Sequence, residues 1–158
     1  MIKTAIIGAS GYTGAELARL LAQHPQFSLC DLFVSAQSQD AGKKLSELYG
    51  RLQGEVELVL QPLAEDALGT LADNYDAVFL ATPHQASHDW MPQLTAGRAV
   101  IFDLSGAFRL KDKQVFEQYY GFGHQHSALL DNAVYGLADW HQQAISTASL
   151  IAVPGCYP

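Results

Sequence analysis

Two stretches of this chain hold residue types and spacings that can do chemistry. In Leu150-Ile-Ala-Val-Pro-Gly-Cys-Tyr-Pro158 a cysteine follows a Pro-Gly turn directly after an apolar run. A thiolate is the attacking species in covalent acyl chemistry, and a turn beyond a buried strand presents its side chain to a ligand. Tyr157-Pro158 suits the opening of a helix, because proline is tolerated in the first turn. Cys156 is therefore the candidate nucleophile. The second stretch, Gly8-Ala-Ser-Gly-Tyr-Thr-Gly14, lies between a strand-like and a helix-like run, the context in which glycine spacing carries meaning. Glycines there let the backbone turn sharply and approach a pyrophosphate, while the helix start stabilises negative charge. Gly8, Gly11 and Gly14, with Ser10, Tyr12 and Thr13, are the predicted cofactor-binding residues. Their Gly-x-x-Gly-x-x-Gly spacing is a variant of the dinucleotide fingerprint.

Sites that prefer NAD place Asp or Glu at the end of the second strand, against the ribose hydroxyls. This chain has Ser35-Ala36-Gln37-Ser38 there, and Asp31 falls in mid-strand. With no carboxylate to repel a 2′-phosphate, and the hydroxyls of Ser35 and Ser38 to receive it, NADP is the expected cofactor. Lys43 and Lys44 can add positive charge, although a solvated loop accounts for both. Thr82-Pro83 and Ser105-Gly106 end two further apolar runs, at positions that line the ligand crevice in open α/β sheets. Arg109 can grip a substrate carboxylate or phosphate through its fork of donors; a structural ion pair accounts for it equally well.

The elements that must position these residues alternate. Strands are predicted at Thr4 to Gly8, Phe27 to Ser35, Val56 to Leu60, Ala77 to Ala81, Ala99 to Asp103 and Leu150 to Val153. Helices are predicted at Gly14 to Gln23, Leu45 to Tyr49, Asp66 to Leu71, His84 to Ala96, Asp112 to Tyr120 and Asp139 to Ser146, and Gly121 to Asn132 reads as loop. Such alternation implies an α/β fold of Rossmann type: a doubly wound, mostly parallel sheet with helices on both faces.

A length of 158 residues suits one domain able to bury about two thirds of the unfolded chain's surface. The hydrophobic fraction of 49% and charged fraction of 16% are those of a globular protein. Nine Lys plus Arg stand against 16 Asp plus Glu, a net charge of −7 that disfavours nucleic acid as a partner. No apolar run approaches the ~20 residues that span a bilayer, so no membrane partner is expected and the cytoplasm is the expected compartment. The only cysteines are Cys30 and Cys156. Both are expected as free thiols, with Cys30 a small core residue.

Weaker patterns carry less. His84 and His88 are four apart on a predicted helix, but with no third ligand in the pattern no metal site is expected. His124-Gln-His126 sits in an aromatic loop that local packing explains. Trp90 and Trp140 read as core or interface residues.

Taken together, Gly8-Ala-Ser-Gly-Tyr-Thr-Gly-Ala-Glu-Leu17, Phe79-Leu-Ala-Thr-Pro-His84, Asp103-Leu-Ser-Gly-Ala-Phe-Arg109, Tyr135-Gly-Leu137 and Val153-Pro-Gly-Cys-Tyr-Pro158 closely resemble the N-acetyl-γ-glutamyl-phosphate reductases of arginine biosynthesis, relatives of aspartate-semialdehyde dehydrogenase. The resemblance runs end to end. It implies that residues 1–158 form the dinucleotide-binding domain of an oxidoreductase, ending just after the catalytic cysteine, with a substrate domain to follow. It implies NADPH as hydride donor, Cys156 as nucleophile and a small acyl phosphate, N-acetyl-L-glutamyl 5-phosphate, as the substrate reduced to the semialdehyde. The family's general acid/base lies beyond Pro158, so residues 1–158 alone are expected not to turn over. The full-length enzyme is expected as a homo-oligomer. Many members have Ser-Arg at the end of the second strand where this chain has Ser35-Ala36, which leaves the 2′-phosphate anchor open. Two other readings stand beside this one: a reductase of another acyl phosphate, and a non-catalytic nucleotide-binding module.

Overall fold

A computed structural model describes residues 1–156, so the expected helix start at Tyr157-Pro158 lies outside the described residues. The chain runs β1 (Ile2–Ile7), α1 (Tyr12–Ala22), β2 (Phe27–Ser35), α2 (Leu45–Leu48), β3 (Leu60–Leu63), α3 (Leu68–Asn74), β4 (Ala77–Leu80) and α4 (His84–Leu94). It continues through β5 (Val100–Asp103), α5 (Lys113–Tyr120), α6 (Ser127–Asn132), β6 (Val134–Tyr135), α7 (Ala138–Ile145) and β7 (Leu150–Ala152). The strands form one seven-stranded sheet in the order β3-β2-β1-β4-β5-β7-β6, and every pair is parallel. Among the described residues no helix is long and apolar enough to cross a membrane.

Residues alternate across a strand, so a sheet covered on both faces needs apolar side chains at successive positions. β4 shows this directly, since Ala77, Val78, Phe79 and Leu80 are all buried. Ile6, Ala77 and Phe79 pack on one face with Ala15, Ala18 and Leu21 of α1 and with Leu32 and Val34 of β2. Ala5, Ile7, Val78, Leu80 and Ile101 pack on the other with Leu68, Leu71 and Ala72 of α3 and Met91 and Leu94 of α4. The doubly wound architecture follows from that division.

The structure differs from the sequence reading in two segments. The apolar run Val56 to Leu60 is mostly not sheet. Leu45 donates its amide to Leu58 and Leu60 to Lys43, so the run pairs with the start of α2 and the residues just before it, and β3 begins only at Leu60. Pro62 then lies in β3, which is tolerable because β3 is at the sheet edge, where a missing N–H breaks no essential ladder. The stretch 121–132, read as loop, contains α6, and the two-residue β6 follows it. A strand of two residues has no period to detect. It places β7 between β5 and β6, so the loop after β7 emerges inside the sheet rather than at its edge.

Candidate functional site

The strand order reverses on either side of β1: the chain runs outward to β2 and β3, then returns to β4 and β5. Open α/β sheets bind ligands at the carboxyl ends of the strands flanking such a point. The glycine loop is there. Gly8 and Ala9 donate their amides to the Phe33 carbonyl of β2, at 2.9 and 3.0 Å, and Ala81 beyond β4 donates to Ile7 at 2.8 Å.

The three glycines do different work. Gly8 has a φ of +86°, and a Cβ on it would lie 2.3 Å from the Ala81 carbonyl oxygen. Gly14 lets α1 press onto the loop, since a Cβ there would lie 2.4 Å from the Gly8 carbonyl oxygen. Gly11 is under no such constraint, because the nearest atom to its Cβ position is 3.7 Å away. The first two glycines are demanded by the protein's own backbone; the open space at Gly11 faces away from it. Tyr12 and Thr13 are exposed beside it. The first helical hydrogen bond of α1 runs from Ala15 to Gly11, and no side chain caps the helix. The first-turn amides, with the positive end of the helix dipole, can therefore receive an anion.

At the end of β2, Ser35 is exposed, and its carbonyl accepts the Ser38 amide at 2.9 Å. The Ser38 hydroxyl accepts from the Asp40 amide at 3.2 Å. Two hydroxyls thus flank the turn that follows β2. Lys43 pairs with Asp40 and Lys44 with Glu57, both on the surface. Asp31 is taken by the Tyr75 hydroxyl at 2.6 Å and by Gln61, which removes it from any ribose contact.

Thr82 and Pro83 follow β4 at the crevice, and the Thr82 hydroxyl lies 2.7 Å from that of buried Ser87. Beyond β5, Asp103 is fully buried and orders the next loop. Its carboxylate accepts the Ser105 amide and the Ser105 hydroxyl, each at 2.9 Å. Desolvation pushes the Asp103 carboxyl up from its ordinary range, while the two Ser105 donors, Ser87 and the charge of Arg109 oppose it. The Ser105 hydroxyl also accepts the Ala107 amide at 3.1 Å, so it is spent within the loop. Gly106 donates its amide to His84 Nδ1 at 2.7 Å and sits beneath Tyr120, whose hydroxyl oxygen would be 2.1 Å from a Cβ on Gly106. Ser105 and Gly106 are thus both buried, with the Ser105 hydroxyl and both amides bonded to the protein's own groups.

Arg109 joins this loop to the cysteine. Its Nε donates to the Val153 carbonyl at 2.8 Å and its Nη2 to the Leu104 carbonyl at 2.7 Å, while the Val153 amide donates to the Asp103 carbonyl at 2.9 Å. Nη1 is 3.2 Å from the Cβ position of Gly155. Among the described residues Arg109 makes no ion pair, and two of its five donors brace the ends of β5 and β7. Cys156 is exposed just past this brace, and Cys30 is a half-buried thiol that donates to the Ser28 carbonyl at 3.3 Å.

Sequence reasoning overlooked His84, Asp103 and Tyr49 as parts of the site. Tyr49 donates its hydroxyl to the Ser10 carbonyl at 2.7 Å, from a crossover with no periodic link to the glycine loop. His88, four residues after His84 on α4, contacts Asp89 through Nδ1 and accepts the Gln125 amide at Nε2. His124 donates Nε2–H to Ala107 and accepts the His126 amide at Nδ1, and burial with the neighbouring His88 pushes it down to about 4.

Known proteins match this geometry. The family model "Semialdehyde dehydrogenase, NAD binding domain" covers residues 3–148. The N-acetyl-gamma-glutamyl-phosphate reductase of Pseudoalteromonas atlantica is 62% identical over the whole chain, which covers 46% of that relative. The protein of the same name from Yersinia pseudotuberculosis is 56% identical over the whole chain, covering 47% of its length. The chain thus spans about half the length of the curated relatives it matches. Aspartate semialdehyde dehydrogenase II from Vibrio cholerae superimposes with a TM-score of 0.66 at 19% identity, over 99% of this chain and 42% of that one. The Candida albicans aspartate semialdehyde dehydrogenase solved with NADP gives 0.60 at 17%, over 97% and 42%. At such identities the solved structures bear on the fold alone. The fold and the sequence match agree: this chain belongs to the semialdehyde dehydrogenase family, as an NAD-binding domain.

Proposed function

We propose that residues 1–158 are the NADP(H)-binding domain of a cytoplasmic, homo-oligomeric reductase that converts N-acetyl-L-glutamyl 5-phosphate to N-acetyl-L-glutamate 5-semialdehyde in arginine biosynthesis. The substrate name comes from relatives 52–62% identical along the whole chain. One observation carries the mechanism: the Arg109 brace brings the loop bearing Cys156 to the end of the sheet at which the glycine loop stands.

The dinucleotide, when bound, supplies a hydride. Gly8, Gly11 and Gly14, with the amides of Ser10, Tyr12 and Thr13, hold its diphosphate by the helix-start geometry, and Ser35 and Ser38 receive the 2′-phosphate. Thr82, Pro83, Ser105 and Gly106 wall the crevice toward the cysteine. The Cys156 thiolate attacks the acyl carbon, the carbon–oxygen bond to phosphate breaks, and inorganic phosphate leaves with that electron pair. Cys156 would hold the acyl group as a thioester for the hydride that the dinucleotide supplies, and its sulfur would leave as thiolate when the carbon–sulfur bond breaks and the aldehyde departs. Nη1 of Arg109, which bonds none of the described residues, is the anchor for the phosphate or carboxylate of the substrate. The remaining half of the relatives' length would supply the substrate pocket and the general acid/base.

The test is NADPH consumption by the full-length enzyme with N-acetylglutamyl phosphate, matched to phosphate released. Equal amounts of NADP and phosphate, lost together in Cys156→Ser, are expected. Faster turnover of aspartyl phosphate would reassign the substrate, and turnover by Cys156→Ser would overturn the thioester.

A further inference from the structure

Tyr49 lies in the crossover between β2 and β3, 39 residues from the glycine loop, and its hydroxyl donates to the Ser10 carbonyl at 2.7 Å. Its ring is half-buried and stands edge-on to Tyr12, with centroids 6.1 Å apart. Burial pushes the phenol up, so the hydroxyl stays protonated and a donor.

The bonded carbonyl is a particular one. In an α-helix each amide donates to the carbonyl four residues back, so Ser10 is where the Gly14 amide would bond if α1 began one residue earlier. It does not: the first helical bond is Ala15 to Gly11, and Gly11 is extended, with φ −75° and ψ 164°. The amide and carbonyl of one peptide point opposite ways. With the Ser10 oxygen turned toward Tyr49, the Gly11 amide turns back toward the Gly8 carbonyl, 3.4 Å away. Gly14 is the third residue of α1, and among the described residues its amide, like those of Tyr12 and Thr13, has no hydrogen-bond partner. First-turn amides of this kind are met by a cap, by water or by a bound anion, and no side chain caps α1.

We propose that Tyr49 is a positioning residue for the dinucleotide: by drawing the Ser10 carbonyl off the axis of α1, it leaves the Gly14 amide to a diphosphate oxygen. The inference rests on the glycine loop being the dinucleotide site. A phenol acting from another crossover thus sets where the anion-binding turn begins.

Tyr49→Phe tests this, since it keeps the ring and removes one hydroxyl. The dissociation constant for NADPH is expected to rise about tenfold, the loss of one well-placed hydrogen bond. The temperature coefficient of the Gly14 amide proton, measured by NMR, separates positioning from general loosening. It should be large in the unliganded wild type, as for an unbonded amide, and shrink when NADPH is added. In unliganded Tyr49→Phe it should also be small, because Gly14 is then free to bond Ser10. Unchanged NADPH affinity in the variant, or a Gly14 coefficient equal to that of Ala15 in the unliganded wild type, would overturn the proposal without need of the variant's fold in the second case. Failure of the wild type to bind NADPH would instead sink the dinucleotide assignment on which the inference rests.

Discussion

The Arg109 guanidinium donates to the Val153 carbonyl at 2.8 Å across 44 residues of sequence, and by this bond the end of β5 holds the end of β7. The same side chain holds Leu104 at 2.7 Å. Arg109→Ala should cost about 2 kcal/mol, since both carbonyls lose a charge-assisted partner in a half-buried setting. Arg109→Lys should recover little of it, because a single ammonium does not reproduce the planar fork. Chemical denaturation measures the stability. In the full-length enzyme the same variants should lower kcat at least about tenfold by misplacing Cys156; unchanged kcat would refute the brace.

Gly11 and Gly14 should respond oppositely to alanine. At Gly14 the added carbon meets the Gly8 backbone, so Gly14→Ala should destabilise the fold by roughly 2 kcal/mol. At Gly11 the space is open, and Gly11→Ala should cost under about 1 kcal/mol. A bulkier Gly11→Val should still fold but lose NADPH binding. Thermal melts with and without NADPH distinguish the two positions.

Cofactor choice should turn on Ser35. A carboxylate there would repel a 2′-phosphate and accept the ribose hydroxyls. Ser35→Asp should weaken NADPH at least about tenfold relative to NADH at fixed ionic strength. Parallel titrations give the ratio, and an unchanged ratio would remove Ser35 from the adenosine site.

Stability should fall with acid through the histidine cluster. His124 is held down to about 4, against an ordinary value of 6.5, so between those pH values the unfolded chain binds more protons. Its contribution is present above pH 6.5 and is lost as the pH falls toward 4. The loss should be on the order of 2 kcal/mol. His126 is lowered as well and acts in the same direction. Comparing denaturation of the wild type with His124→Gln across pH 7 to 4 isolates the effect, since titration of Asp103 is common to both. Parallel curves would contradict it.

Much of the fold was legible from local pattern. Ala77 to Ala81 and Ala99 to Asp103 read as strands because unbroken short apolar runs have few other uses, and the glycine loop declared itself by lying between a strand and a helix. Val56 to Leu60 misled because Val56 and Leu60 are buried for packing, while the backbone partners of Leu58 and Leu60 are Leu45 at the start of α2 and Lys43 just before it. The motif around Arg109 and Cys156 was visible, but whether Arg109 met a carboxylate or a carbonyl was not.

What the amino-acid order determined alone is therefore what depends on neighbours within a few residues: periodicity, turn chemistry, the spacing of Gly8, Gly11 and Gly14, and a cysteine after Pro-Gly. What the tertiary structure decided is which distant groups meet: β7 seated between β5 and β6, Arg109 on Val153, Tyr49 on Ser10, and Ser105 turned inward to Asp103. The reason is physical. A hydrogen bond has a reach of about 3 Å and a preferred direction, so partners far apart in sequence are chosen only once strand order and helix packing have placed their backbones.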